Sequence, residues 1–223
     1  MKEMNNFDGE KSIKDFWDDY YGHTHEVTPP SLFAVSTLES LIGMENLRLL
    51  DYGCGNGRDS LFFSKFFEVL GTDLSEVIIE QNVISGHLLG SSAKFTVHEK
   101  ETNLRALLKS FDPDVFYARF LLHAITLEQE NQLLSTLDDG LKKGAFIFFE
   151  CRTTKDPLMQ EGTKISEFER IYGHYRRFIV PDELRFKLER LNFQIISFEE
   201  SDEFSPTSGD KPYLLRVRAQ KIA

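Results

Sequence analysis

The chain has 223 residues, with 26 Lys and Arg against 36 Asp and Glu, for a formal net charge of −10. That balance excludes a generic nucleic-acid binder, because affinity for a polyanion grows with the phosphates that Lys and Arg neutralise. With 41% hydrophobic residues, a chain of this size buries roughly 70% of its unfolded surface, which excludes whole-chain disorder.

The start, KEMNNFDGE after Met1, has no apolar segment, so no signal peptide is expected. Nowhere does an apolar run approach the roughly 18 residues of a membrane span. Only Cys54 and Cys151 are present. Two cysteines suit a reducing compartment, and they have no partners at metal-ligand spacing, so no metal is expected. The expectation is a soluble cytoplasmic chain without membrane contact. No Pro-, Gly- or Ser-rich linker divides the interior, so a single domain is expected over residues 1–223.

In chain order, residues 1–45 read as a helical cover. Lys11 to Tyr21 (KSIKDFWDDYY) is an aromatic-rich helix, and a second helix runs from Ser31 to Ile42 after Pro29 and Pro30. Phe16, Trp17, Tyr20 and Tyr21 form a helical stripe that serves either as core or as a lid, with Trp17 and Tyr21 facing the ligand in the second case. Residues 46–150 alternate short apolar runs with amphipathic ones, the mark of a parallel sheet with crossover helices. Strands are predicted at Arg48 to Asp51, Glu68 to Asp73, Lys94 to His98, Asp114 to Ala118 and Ala145 to Glu150. Helices fit at Arg58 to Phe66, Ser75 to Ser85, Asn103 to Ser110 and Leu127 to Leu141. A polar connection (residues 151–180) precedes a helix at Pro181 to Arg190 and two strands, Phe193 to Glu199 and Tyr213 to Gln220, joined by the loop SDEFSPTSGDKP.

The strongest chemical signal is RLLDYGCGNG, Arg48 to Gly57, an apolar strand that runs into Gly53, Gly55 and Gly57. Glycine permits close backbone approach and positive φ. The G-x-G-x-G spacing is one residue tighter than the G-x-G-x-x-G of dinucleotide folds, which disfavours a nicotinamide cofactor. Asp73 ends the run EVLGTD, where an open α/β sheet places a carboxylate to accept ribose hydroxyls. A glycine loop with such an acid points to an adenosine-type ligand.

These motifs resemble the class I S-adenosylmethionine-dependent methyltransferases: DYGCGNG is similar to their glycine motif, GTDLS to their second-strand acidic motif, and DPDVFYARFLLHAI to their fourth strand. The resemblance implies a Rossmann-like, doubly wound α/β fold. Its seven-stranded sheet would be mostly parallel, with an antiparallel C-terminal edge hairpin and an N-terminal helical lid. It implies S-adenosylmethionine as cofactor, leaving S-adenosylhomocysteine, held by Asp51, Gly53, Gly55, Gly57, Asp73, Leu74 and His98 or Glu99. Trp17, Tyr21, Arg58 and Arg119 are further candidates for that site. More narrowly, FWDDYY, PPSLFA, GCGNGRDS, YARFLLHAI, FFECR and HYRRF resemble bacterial methyltransferases of capsule and surface-polysaccharide assembly. That implies a small, polar acceptor bearing a nucleotide or phosphate.

Methyl transfer needs an acceptor atom in line with the methyl group, and a hydroxyl acceptor also needs a base within reach. His123, just past the fourth strand, is the first candidate and Glu150, closing the fifth, the second. Arg152, His174, Arg176 and Arg177 are candidates to bind an anionic acceptor, since guanidinium forks match carboxylates and phosphates. The bland reading pairs the tandem arginines with Glu167, Glu169 or Asp182. Two other functions stay open: a catalytically silent cofactor-binding partner subunit, and an NAD-type oxidoreductase. No N-P-P-Y or D-P-P-Y stretch follows the fourth strand, which argues against nucleobase methylation. Monomer and homodimer are equally open.

Overall fold

The computed structural model describes residues 9–23, 28–98, 101–205 and 211–223. Two helices come first, α1 (Gly9–His23) and α2 (Leu32–Ser40). Strands and helices then alternate through β1 (Arg48–Tyr52), α3 (Arg58–Phe63), β2 (Glu68–Asp73), α4 (Glu76–Leu88), β3 (Lys94–Val97), α5 (Glu101–Phe111), β4 (Val115–Arg119), α6 (Leu127–Gly140) and β5 (Phe146–Arg152). After three short strands, β6 (Thr163–Lys164), β7 (Glu169–Tyr172) and β8 (His174–Arg177), the chain ends in α7 (Pro181–Arg190), β9 (Phe193–Ser201) and β10 (Leu214–Lys221).

The apolar runs pair into a seven-stranded sheet of order β3-β2-β1-β4-β5-β10-β9. The first five strands are parallel, while β10 runs antiparallel to both β5 and β9. This is the expected Rossmann-like fold with its antiparallel edge. Every residue of β5 is buried, as suits a strand covered on both faces. On one face Leu104, Leu108, Leu133, Leu137, Leu184 and Leu188 of α5, α6 and α7 pack on Leu50, Phe116, Ile147 and Phe149. On the other, Phe33 and Ala34 of α2 and Phe63 of α3 pack on Leu49, Val69, Tyr117 and Phe148. Helix starts are specified locally. Ser31 and Ser75 accept from the backbone of Ala34 and Ile78, and Thr126 with Gln129 forms a capping box, so first-turn donors are satisfied.

Helix α4 runs to Leu88, three residues past its expected end, and two further elements differ from expectation. Helix α3 stops at Phe63, not Phe66, and the chain turns through Ser64 to Phe66, with Phe67 N donating to Phe63 O at 2.9 Å. A turn of α-type geometry needs no glycine, which is how SKFFEVLG reaches β2 without one. The polar connection 151–180 is not a loop throughout, because β6, β7 and β8 form a small antiparallel sheet. Its organiser is the buried Arg170, which donates to the carbonyls of Met159, Ser166, Glu167 and Glu169. A guanidinium thus satisfies backbone acceptors where an apolar residue would leave them unpaired.

The strand order reverses between β1 and β4, so a crevice opens beyond their carboxyl ends, the position where open α/β sheets bind ligands. Among the described residues no helix is long and apolar enough to cross a membrane.

Candidate active site

The crevice begins where β1 turns. Gly53 N and Cys54 N both donate to Thr72 O at 2.8 Å, which stitches the loop to β2. Gly55 and Gly57 have φ of 51° and 69°, a region that costs side-chain-bearing residues roughly 1–2 kcal/mol. A Cβ on Gly57 would sit 2.8 Å from Asn82 Cγ. That close approach lets the Asn82 amide on α4 donate to Gly55 O at 2.7 Å and clamp the loop. Asn82 was not expected as a site residue, and its only sequence signal is a polar residue inside an apolar helical run.

The cavity above the loop has a volume of about 360 Å³, within the range of small-molecule sites. Of the residues expected to hold the cofactor, Trp17, Tyr21, Asp51, Gly53 and Gly55 line it, as do Arg58, Asp73, Leu74 and Arg119. Gly57 stands behind the loop against Asn82, and Glu99 lies outside the described residues. Asp73 is buried. Its Oδ2 accepts from Gly55 N at 3.0 Å and its Oδ1 from Ser75 N at 3.1 Å. Burial raises its pKa, and the N–H donors of Ser75, Gly55 and Leu74 oppose that rise. Each oxygen retains acceptor capacity for a ligand hydroxyl.

Helix α1 covers this end of the cleft. Ser75 Oγ donates to Asp18 Oδ1 at 2.5 Å, Gln81 Nε2 donates to Tyr21 O at 3.3 Å, and Lys14 bridges Asp18 and Glu76 at 3.0 and 3.4 Å. Trp17 stacks on Tyr21 with ring centroids 5.7 Å apart, and the Tyr21 hydroxyl lies directly over Gly55. At the end of β3, His98 stacks on Tyr52 at 4.2 Å. Its buried Nδ1 has no hydrogen-bond partner among the described residues. Burial drives its pKa down to about 4, so a neutral imidazole lines the cleft. Bare glycine backbone, a carboxylate with spare lone pairs and an orphaned ring nitrogen together fit an adenosine-bearing ligand.

Below the loop, Asp51 accepts from Ser60 Oγ at 2.6 Å. Asp59, in the first turn of α3, anchors α2. It accepts from Ser31 N and Ser31 Oγ at 2.7 Å each and from the Tyr117 hydroxyl at 2.8 Å. Burial, with the Asp59 charge second, raises the Asp51 pKa from 3.8 to about 8. Between those values the native state holds a proton that the unfolded chain has released, so this group lowers stability as pH rises, by at most about 1.4 kcal/mol per unit. Asp51→Asn is therefore expected to gain stability relative to the parent from pH 5 to pH 8 and to level off above that. Urea unfolding at four pH values measures it, and a pH-independent difference removes the assignment.

The acceptor-side candidates differ in what the structure makes of them. His123 is buried at the start of the β4–α6 connection. Its Nδ1 accepts from Arg152 N at 3.2 Å, and its backbone oxygen accepts from Arg177 N at 2.8 Å. Burial, then the charges of Arg152 and Arg176 with His174, holds its pKa well below the usual imidazole range. A neutral ring whose Nδ1 accepts carries its proton on Nε2, so that nitrogen is a donor rather than a base. Glu150 is fully buried. Its Oε1 accepts from Arg119 Nε at 2.8 Å and its Oε2 from Arg216 Nε at 2.7 Å, with Ser205 Oγ at 3.4 Å from both. With both oxygens on guanidinium groups, Glu150 orients Arg119 and is not poised to take a proton.

Arg177, expected at the substrate, does not line the cleft. Its guanidinium pairs with the buried Glu130 and donates to Leu122 O and Ile125 O at 3.2 and 3.3 Å. The partner is Glu130, not the acids near it in sequence, and the arginine ties β8 to the segment that carries His123. Arg152 donates to Asp156 Oδ2 at 2.8 Å, while Arg176 donates to Tyr172 O. His174 meets α1, its ring 5.3 Å from Phe16 and 5.2 Å from Trp17. Burial, then Arg176 and Arg152, lowers its pKa to about 3. Sequence reasoning missed Phe120. At φ 60°, a conformation costing roughly 1–3 kcal/mol, it lines the cleft at the tip of β4. The Arg119 guanidinium lies 3.9 Å and that of Arg152 5.8 Å from its ring centroid.

Fold and site define an open α/β protein with an adenosine-ligand cleft at the switch point of its sheet. The chain matches the family described as methyltransferase domain over residues 29–198. It belongs to that family and is a methyltransferase that uses S-adenosylmethionine. Similar solved structures include a methyltransferase from Anabaena variabilis (TM-score 0.72, 17% identity, covering 97% of this chain and 96% of that one). Others come from Methanosarcina mazei (0.70, 20%, 83% and 97%) and Clostridium acetobutylicum (0.68, 10%, 96% and 99%). No match is found among curated proteins.

Proposed function

We propose that the whole chain acts as one S-adenosylmethionine-dependent methyltransferase domain on a small acceptor that is anionic when it binds. The observation that carries this reading is the convergence of the Arg119 and Arg152 guanidinium groups on the Phe120 ring at the wall of the cleft. Arg176 adds to the same positive field, since it and Arg152 both disfavour the charged form of His123 and of His174. S-adenosylmethionine supplies an electrophilic methyl group when bound. An acceptor already anionic at its attacking atom needs no proton removed, which agrees with Glu150 and His123 both being committed to other partners. In this reading Asp73 and the glycine loop hold the cofactor, His98 faces its adenine, and α1 with His174 excludes water. Arg152 and Arg176 orient the acceptor, and the Nε2–H of His123 donates a hydrogen bond. A sugar-phosphate or nucleotide-linked acceptor, as the narrower resemblance implies, carries such a charge on a phosphate oxygen, which is then the attacking atom.

A screen of carboxylates, phosphorylated metabolites and sugar nucleotides for S-adenosylhomocysteine release tests the reading. With the acceptor found, Arg176→Ala is expected to raise KM about tenfold or more, the worth of one charge-assisted hydrogen bond, with a smaller effect on kcat. A neutral preferred acceptor would overturn the proposal, and release on no acceptor despite tight cofactor binding would favour a silent partner subunit. His123→Gln keeps an acceptor for Arg152 N. It is expected to retain kcat within about tenfold with an unchanged pH profile, whereas loss of a general base costs about 10²–10⁴-fold.

A further inference from the structure

A second cavity, of about 190 Å³, lies between α2 and the antiparallel edge of the sheet and shares no lining residue with the cofactor cleft. Its helical wall is Phe33, Ser36, Thr37 and Ser40, spaced so that they share one face of α2. A helix face packed on a sheet is ordinarily apolar, yet three of these four side chains are hydroxyls. The facing wall includes Arg216 and Arg218 of β10 and Ser197 and Glu199 of β9. The sheet register sets Arg216 between Glu150 and Glu199, and Arg218 between Phe148 and Ser197.

The two arginines are held differently. Arg216 donates to Glu150 Oε2 at 2.7 Å, Phe204 O at 3.0 Å and Ser36 Oγ at 3.4 Å. Arg218 lies over the rings of Phe146 and Phe148, 5.2 and 5.8 Å from their centroids. Its buried Nε has no hydrogen-bond partner among the described residues. Thr37, only 1% exposed, likewise has its Oγ1 without one. Leaving one buried polar group unmade costs roughly 1–3 kcal/mol, and such groups are rare in native folds. Here two belong to residues that line the same cavity, one a cationic donor and the other a hydroxyl.

We propose that this cavity is a binding site for a small oxyanion, hydrogenphosphate in particular. Arg218 and Thr37 are its principal contacts and Arg216 completes the cationic side, while the Ser36 and Ser40 hydroxyls, which donate to the carbonyls of Phe33 and Ser36, only line the wall. Guanidinium N–H groups and hydroxyls are the donors that oxyanions select, and the volume admits a tetrahedral ion with a few waters but not a nucleotide. Glu199, across from Arg216, repels an anion without protons and accepts a hydrogen bond from one that keeps a proton, which selects hydrogenphosphate over sulfate. The site does not depend on what the cofactor cleft methylates.

The test titrates inorganic phosphate against the full chain at constant ionic strength, with chloride as balancing ion, by calorimetry and thermal unfolding. Saturable binding is expected for the parent and for Arg176→Ala. Arg218→Gln is expected to weaken it about tenfold or more, and Thr37→Val several-fold. A non-saturable response, equal binding in Arg218→Gln, or loss of binding in Arg176→Ala would overturn the proposal. The last result would place the ion at the acceptor side of the cofactor cleft. Should Arg218→Gln fail to fold, unchanged phosphate binding in Thr37→Val overturns it equally.

Discussion

Asp73→Ala is expected to weaken S-adenosylhomocysteine binding by about 100- to 1000-fold, from the loss of roughly 3–4 kcal/mol in two charge-assisted hydrogen bonds. The effect has two physical sources. The carboxylate is the proposed acceptor for the ribose hydroxyls, and its Oδ2 also receives Gly55 N at 3.0 Å, so its removal loosens the glycine loop. Asp73→Asn separates them, because the amide oxygen can still accept from the loop while the charge is gone. Calorimetric titration of both variants reads the difference. Affinity of Asp73→Ala within about threefold of the parent would remove Asp73 from the site.

Glu150→Ala is expected to cost about 3–5 kcal/mol of folding stability, since removing one partner of a buried ion pair strands the other. Here two guanidinium groups are stranded, Arg119 and Arg216, each with side chains only 17% exposed. Against a typical total of about 5–15 kcal/mol, the loss is a large fraction, and urea unfolding measures it. Glu150→Gln keeps one acceptor oxygen and should fall between. The pair of variants distinguishes the structural role from catalysis. A general base replaced by glutamine would lose turnover at unchanged stability, and that result would return Glu150 to the acceptor.

The placement of the glycine turn beside the acid was legible because it is local. Gly53, Gly55, Gly57 and Asp73 sit at the ends of two strands whose apolar runs are unmistakable, and parallel pairing of β1 with β2 brings those ends together. The acceptor half was read with less success for a definite reason. Candidate roles there were assigned by residue type, whereas the roles follow from partners distant in sequence. Glu150 meets Arg216, 66 positions away, and Arg177 meets Glu130, 47 positions away. The small sheet at 163–177 was invisible to apolar periodicity because Arg170, not a hydrophobic cluster, holds it. The hydroxyl-lined face of α2 likewise looks unremarkable until Arg216 and Arg218 stand opposite it.

By itself, the sequence determined the parallel α/β core, the glycine turn, the acid on the second strand and hence the class of ligand. Those features depend on backbone conformation and side-chain period, which neighbouring residues dictate. Only the tertiary structure decided which titratable side chains are free to act. Burial and long-range partners set that freedom, placing the His123 proton on Nε2, binding Glu150 between two cations and pairing Arg177 with Glu130.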